Sequence, residues 1–164
     1  MTTTTALRIR PSGGALGADI EGLDLSQPLD AATVEGIRNA WLDHLVIRFR
    51  GQSLALEDLE RFSACFGPLD KAPITPTTGQ PHLPDHPYVA VMSNIERDGR
   101  PIGSLGNGEA IWHTDMSYKE ETPTASILYS VEIPPAGGNT NFANMYLAYE
   151  RLPADLRARE DAGL

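Results

Sequence analysis

The spacing of apolar residues in the first half of the chain predicts two amphipathic helices. The first presents one apolar face made of Val34, Ile37, Trp41 and Leu45. Asp30 is suited to cap this helix, which we expect to end near His44. The second is expected to begin at Ser53 and to stop at Gly67. Its apolar face is made of Leu59, Phe62 and Phe66.

Short apolar runs bounded by turn residues predict strands in the rest of the chain. They lie at 7–25 (interrupted by glycines), 45–49, 88–93, a central stretch between Gly108 and Tyr118, 124–132 and 139–143. Helices are expected again at 145–152 and from Pro153, placed at the first helical position. Strands joined by turns rather than by alternating helices favour a jelly-roll-like sheet fronted by N-terminal helices. The predicted fold class is therefore mainly β with N-terminal helices (α+β), in a single domain over 1–164.

Three segments are predicted to lie outside regular structure. Residues 1–6 are expected to form a frayed tail, and 68–87 form a loop because six of those twenty residues are proline. Residues 96–108 contain four glycines and are expected to form a mobile segment over the functional site.

Composition narrows the classes of partner. At 164 residues the chain suits one domain with a core. Its 22 acidic against 13 basic residues give a net charge of −9, which argues against a nucleic-acid partner. No apolar run approaches the roughly 20 residues that span a bilayer, and the N-terminus lacks the apolar core of a secretory signal. Cys65 is the only cysteine, so an intrachain disulfide is excluded and a cytoplasmic location is expected.

The candidate chemistry lies in the central strand, where His113 and Asp115 are two positions apart. Residues i and i+2 of a strand point to the same face, roughly 6–7 Å apart. An imidazole and a carboxylate so placed form two thirds of a 2-His-1-carboxylate triad, which holds non-haem Fe(II) with open coordination positions. The tripeptide alone leaves another interpretation open, namely a surface turn in which a histidine is hydrogen-bonded to a nearby acid.

The segments around this pair form a recognisable set of motifs. They are Gly17-Ala-Asp-Ile-Glu-Gly-Leu-Asp-Leu-Ser26, Val46-Ile-Arg-Phe-Arg-Gly-Gln52, Phe62, Phe66-Gly-Pro-Leu69, Trp112-His-Thr-Asp-Met-Ser-Tyr118, Pro134-Pro-Ala-Gly-Gly-Asn-Thr-Asn-Phe-Ala-Asn-Met145 and Ala148-Tyr-Glu150. In order, spacing and residue identity, the chain resembles the N-terminal portion of the taurine and chlorophenoxyacetate dioxygenase (TauD/TfdA) family. The resemblance covers nearly the whole chain.

The resemblance implies a dioxygenase that depends on Fe(II), 2-oxoglutarate and O2, built on a double-stranded β-helix. Such an enzyme hydroxylates a small, anionic organic substrate while 2-oxoglutarate is decarboxylated to succinate. By the resemblance, His113 and Asp115 are metal ligands and Thr140 binds 2-oxoglutarate. Glu109 and Tyr118 match positions that face the substrate. The expected partners are a small molecule and, as an option, a second copy of the chain in a homo-oligomer, with neither nucleic acid nor membrane.

The chain departs from the family pattern downstream of the metal-binding motif. No histidine occurs beyond His113, so the third metal ligand is absent from these 164 residues. The arginines beyond Thr140 all fall in predicted helices, so the arginine that should pair with 2-oxoglutarate has no counterpart. The chain therefore corresponds to part of a dioxygenase domain whose C-terminal part is lacking. Three explanations stay open: the chain is a fragment, a partial description of a longer protein, or a natural truncation. The activity of the chain by itself is doubtful on this interpretation.

Two other functions are compatible with the sequence. The chain could be an inactive remnant that works as a binding or assembly subunit, with its exposed strand edges paired to a partner. It could also be a zinc hydrolase that uses His82, His86 and His113. His82 and His86 lie in the proline-rich loop, however, where we expect them to be solvated.

Overall fold

The computed structural model describes residues 7–74, 81–103 and 111–163. The chain divides into two compact units. The first comprises Met1–Asp24, Leu29–Gln52 and Val131–Leu164, and the second comprises Leu25–Pro28 and Ser53–Ser130. The predicted frayed tail at 1–6 lies outside the described residues.

The first unit contains a three-stranded sheet. Strand β1 (Arg8–Pro11) pairs antiparallel with β2 (Ala18–Glu21), and β2 pairs in parallel with β3 (Ile47–Phe49). On β2, Ala18 and Ile20 are buried, whereas the intervening Asp19 side chain points to the opposite face. The glycine-interrupted strands predicted between 7 and 25, and the strand predicted at 45–49, are thus confirmed.

The predicted helix after Asp30 is also confirmed. Helix α1 spans Ala31–His44, and the Asp30 carboxylate accepts a hydrogen bond from the Thr33 N–H at 2.7 Å. The helix packs against β2 and β3 and buries Ile37 completely. Leu45 ends it at φ 66°, an unusual conformation for a branched residue. This sheet and helix form the buried core of the first unit.

Two short helices complete the first unit. Helix α3 spans Met145–Glu150 and α4 spans Ala154–Asp161, close to the predicted bounds. Pro153 precedes α4 as its N-cap residue rather than occupying the first helical position. Asn144 caps α3 by accepting from the Leu147 N–H at 3.0 Å, and its amide donates to the Ala15 carbonyl at 2.7 Å. One side chain therefore joins α3 to the turn between β1 and β2.

In the second unit, helix α2 spans Leu56–Ala64 and begins later than predicted. Ala55, not Ser53, is the N-cap residue, because its N–H donates to the Asp58 carboxylate at 3.0 Å. The helix ends before Gly67, which was predicted to stop it. Of the predicted apolar face, Phe62 is buried. Its ring packs edge-to-face against the Phe66 ring, with the two ring centroids 5.3 Å apart.

A small hairpin lies in the segment that was predicted to be a mobile loop. Strands β4 (Glu96–Arg97) and β5 (Arg100–Pro101) pair antiparallel. Asp98 and Gly99, both at positive φ, form the connection. An Asp-Gly pair is the sequence signal for such a two-residue turn, and it was overlooked. The part of this segment from 104 onwards lies outside the described residues.

The strands predicted at 88–93, in the central stretch, at 124–132 and at 139–143 are wrong. Where the structure describes these stretches, it shows no strand. A strand exists only when a neighbour satisfies its N–H and C=O groups, and no such neighbour occurs among the described residues. The described part of the chain is accordingly α+β rather than mainly β. No helix within the described ranges is long and apolar enough to cross a membrane.

Candidate metal centre

The His113 and Asp115 side chains converge, as predicted, but by a different route. The His113 Nε2 atom lies 3.2 Å from the Asp115 Oδ1 atom. The backbone is irregular from 111 to 114 and turns at 115–118, so the expected strand does not bring the two groups together. Instead Met116 adopts φ 51°, and the Lys119 N–H donates to the Met116 carbonyl at 3.0 Å. A tight turn after Asp115 therefore shapes the site.

The hydrogen bonding of His113 fixes which ring nitrogen faces Asp115. Its Nδ1 atom lies 2.8 Å from the Ile111 carbonyl oxygen. A carbonyl only accepts, so Nδ1 carries a proton and Nε2 is the atom left for a metal ion. The Ile111 carbonyl and then the Asp115 charge raise the pKa of His113. A metal ion that binds Nε2 must displace any proton carried on that atom.

The Asp115 carboxylate divides its two oxygens between two partners. Oδ1 faces His113, whereas Oδ2 accepts a hydrogen bond from the Ser126 hydroxyl at 2.8 Å. Hydrogen bonds of this kind orient the ligands of metal sites. Sequence reasoning missed Ser126, because a serine eleven residues beyond an aspartate carries no distinctive signal.

The turn is also held by an ion pair that the sequence did not reveal. The Lys119 ammonium lies 2.5 Å from the Asp70 carboxylate, in the loop that follows α2. This contact lowers the pKa of Asp70, because the ammonium group favours the charged carboxylate. Lys119 therefore ties the segment that carries Asp115 to the loop beyond α2 within the second unit.

The donor atoms fit a ferrous ion in two of its three expected positions. Two ligands at about 2.1 Å from a metal and at right angles around it would be roughly 3.0 Å apart. The 3.2 Å between His113 Nε2 and Asp115 Oδ1 is close to this separation. Their side chains are 62% and 57% exposed, so they are open to an incoming ion. Within the described ranges, no cluster of three His, Cys, Asp or Glu side chains supplies a third ligand.

Among the described residues, His82 and His86 do not belong to a group of three possible metal ligands. His86 was expected to be solvated, but it is only 17% exposed and lies 3.1 Å from the Glu60 carboxylate and 3.6 Å from that of Glu57. His82 is also half-buried. The expectation of solvated histidines is therefore wrong, because α2 supplies carboxylates that pair with His86.

The remaining predicted site residues are Thr140, Tyr118 and Glu109. Thr140 belongs to the first unit, in an irregular, exposed stretch that comes after Gly137 and Gly138, both at positive φ. Tyr118 ends the turn after Asp115 with 81% of its surface exposed. It is therefore available to a ligand rather than packed in a core. Glu109 lies outside the described residues.

The sequence model of a known family matches nearly all of this chain. The family described as "Taurine catabolism dioxygenase TauD, TfdA family" matches residues 8–162. The chain belongs to this family. The recognition made from the motifs is thus confirmed. The family is one of dioxygenases that use Fe(II), 2-oxoglutarate and O2.

Individual relatives agree with the family assignment. The chain is 42% identical over 154 residues to pentalenolactone F synthase of Streptomyces avermitilis, covering 92% of this chain and 49% of that protein. It is 39% identical to an alpha-ketoglutarate-dependent sulfate ester dioxygenase of Pseudomonas putida, covering 94% and 47%. A crystal structure of a taurine dioxygenase from Burkholderia xenovorans matches with a TM-score of 0.69 at 34% identity, covering 94% and 51%. The chain thus spans about half the length of the relatives it matches.

Proposed function

We propose that this chain provides the iron-binding half of an Fe(II)- and 2-oxoglutarate-dependent dioxygenase that hydroxylates a small, anionic organic substrate. The observation that carries the proposal is the pair formed by His113 Nε2 and Asp115 Oδ1, 3.2 Å apart and open to solvent. The relatives support the reaction class. Among them are dioxygenases named for sulfate esters and for 2,4-dichlorophenoxyacetate, both of which are anionic compounds.

Each candidate residue then has a defined role. His113 and Asp115 hold the ferrous ion through one nitrogen and one oxygen, and the Ile111 carbonyl keeps the imidazole in the required tautomer. Bound iron supplies the activation of O2 that couples substrate hydroxylation to decarboxylation of 2-oxoglutarate to succinate. Thr140 donates a hydrogen bond to a carboxylate oxygen of 2-oxoglutarate. Glu109 and Tyr118 contact the substrate.

The proposed enzyme has a larger fold than the one that the described residues form by themselves. We infer that the irregular stretches at 124–132 and 139–143 become strands of a double-stranded β-helix when they are paired. Large apolar side chains in this part of the chain are exposed, as expected for strands that lack the neighbours that would cover them. The pairing strands, the second metal histidine and the 2-oxoglutarate arginine would come from polypeptide outside these 164 residues. A second copy of the chain in a homo-oligomer is an alternative source of the pairing strands.

The setting proposed for the reaction is the cytoplasm. It is inferred from the single cysteine, because a lone thiol fits a reducing compartment. Cys65 is half-buried, with its thiol 3.5 Å from the Arg61 carbonyl, and is not part of the metal pair.

A matched set of variants tests the function in the complete enzyme. His113→Ala and Asp115→Ala should each abolish 2-oxoglutarate-dependent formation of succinate, because each removes a metal ligand. His82→Ala, in the proline-rich loop, should leave it intact. Full turnover by either ligand variant would contradict the assignment of that residue. In the competing interpretation, an assembly subunit, the complete protein would bind no Fe(II) and would develop no visible band with 2-oxoglutarate in the absence of O2.

A further inference from the structure

The Asp115 carboxylate has a partner outside the metal pair. Ser126 donates its hydroxyl proton to Asp115 Oδ2 at 2.8 Å, while Oδ1 faces His113 Nε2 at 3.2 Å. Both residues belong to the second unit and both are exposed. We propose that Ser126 is a positioning residue that keeps Oδ2 engaged, so that Asp115 offers a single oxygen to the iron.

The physical need for such a partner arises from the carboxylate itself. The torsion that turns a carboxylate about its Cβ–Cγ bond is broad, so an aspartate does not by itself select which oxygen faces a ligand. The Asp115 side chain is 57% exposed, so close packing does not restrict this rotation. A hydrogen bond from the Ser126 hydroxyl holds one oxygen away from the site and leaves the other aimed at it.

The consequence concerns the number of coordination positions that stay open. A carboxylate that offered both oxygens would occupy two positions around the ion, and one that offers a single oxygen occupies one. If iron were held here, an Asp115 that offered one oxygen would leave more coordination positions for 2-oxoglutarate than one that offered two. Ser126 would thereby favour binding of the cosubstrate as well as of the metal. This inference rests on the proposed function, because it presupposes iron at His113 and Asp115.

The test is an anaerobic titration of the complete enzyme with Fe(II), in competition with a coloured chelator. Ser126→Ala should raise the Kd for Fe(II) by about 10-fold, the usual effect of removing a hydrogen bond to a metal ligand. Ser126→Thr should restore the affinity, because it keeps the hydroxyl and adds only an exposed methyl group. Ser130→Ala, a matched exposed serine four residues further on, should leave the Kd unchanged. Thermal unfolding of all three variants should match that of the unmodified chain.

The outcomes separate the inference from the function on which it rests. If Asp115→Ala loses Fe(II) while Ser126→Ala binds as tightly as the unmodified chain, the role of Ser126 is wrong and the metal site stands. Equal weakening by the alanine and threonine variants would also overturn that role, because the hydroxyl would then be irrelevant. If the unmodified complete enzyme and its Asp115→Ala variant take up Fe(II) equally, or neither does, the proposed site fails and the inference fails with it.

Discussion

The sheet and helix between residues 8 and 49 differ sharply from the segment between 111 and 149. In the former, three strands pair, a capped helix covers them and Ile37 is completely buried. In the latter, the described residues form no strand before α3, and Ile111 and Val131 are 82% and 86% exposed. Both segments contain apolar runs typical of strands. The difference shows that such a run becomes a strand only where another strand is available to it.

Removing a core side chain should produce the largest effect on the free energy of unfolding. The size of this effect should differ between the two segments. Ile37→Ala removes buried methyl groups beneath the sheet and should lower the free energy of unfolding by about 2–5 kcal/mol. Val131→Ala, a comparable truncation in the exposed segment, should change it by less than about 0.5 kcal/mol. Urea unfolding at equilibrium measures both values. A similar loss in the two variants would show that the two segments are equally packed in solution.

A charge cluster on the outer face of the sheet should give the next largest effect. Asp19 accepts hydrogen bonds from Arg48 at 2.7 and 3.2 Å and from Arg50 at 3.0 Å. These guanidinium groups, Arg48 first, lower the pKa of Asp19 to about 2. Asp19→Asn should therefore lower the free energy of unfolding by about 1–2 kcal/mol at neutral pH, allowing for solvent screening.

The pH dependence of this effect has a definite sign. Because the pKa of Asp19 is lower in the folded state, its contribution is complete above about pH 4. As the pH falls toward about 2, the unfolded chain takes up the proton first and the contribution is lost. The difference between the unmodified chain and Asp19→Asn should shrink over this interval. An equal substitution at an exposed site, Glu132→Gln, should show a smaller difference, and an effect of Asp19→Asn that stayed constant down to pH 2 would contradict the ion pairing.

The N-terminal cap of α1 should contribute less to stability than the charge cluster around Asp19. Asp30→Ala removes the acceptor of the Thr33 N–H and should lower the melting temperature, by less than Asp19→Asn does. Asp30→Asn keeps a capping oxygen and should cost little. Thermal unfolding of the three proteins compares them directly. Equal losses for alanine and asparagine would mean that the charge, rather than the cap, stabilises α1.

The smallest effect on stability is expected where the effect on function is largest. His113→Ala and Asp115→Ala remove exposed side chains, so each should leave the free energy of unfolding nearly unchanged. Urea unfolding measured without metal provides the value. A loss comparable to that of Ile37→Ala would show that the pair supports the fold rather than a ligand.

The comparison also shows what sequence reasoning can and cannot predict. Helix α1 and its Asp30 cap were predictable, because spacing and capping depend on neighbours within a few residues. The convergence of His113 and Asp115 was predictable from their two-residue spacing, although a turn rather than a strand produces it. Ser126 and Lys119 were not predictable, because their partners lie 11 and 49 residues away. The strand predictions at 88–93, in the central stretch, at 124–132 and at 139–143 were wrong for the same reason, because strand pairing depends on residues that are distant in the sequence.

Oxidative mapping of the bound iron tests the central claim most directly. With ascorbate in air, an iron ion oxidises the side chains that surround it, and mass spectrometry of peptides locates the modified residues. Oxidation should concentrate on His113 and its neighbours in the segment 111–118 and should disappear in Asp115→Ala. Oxidation centred instead on His82 or His86, and unchanged in Asp115→Ala, would contradict an iron site at His113 and Asp115.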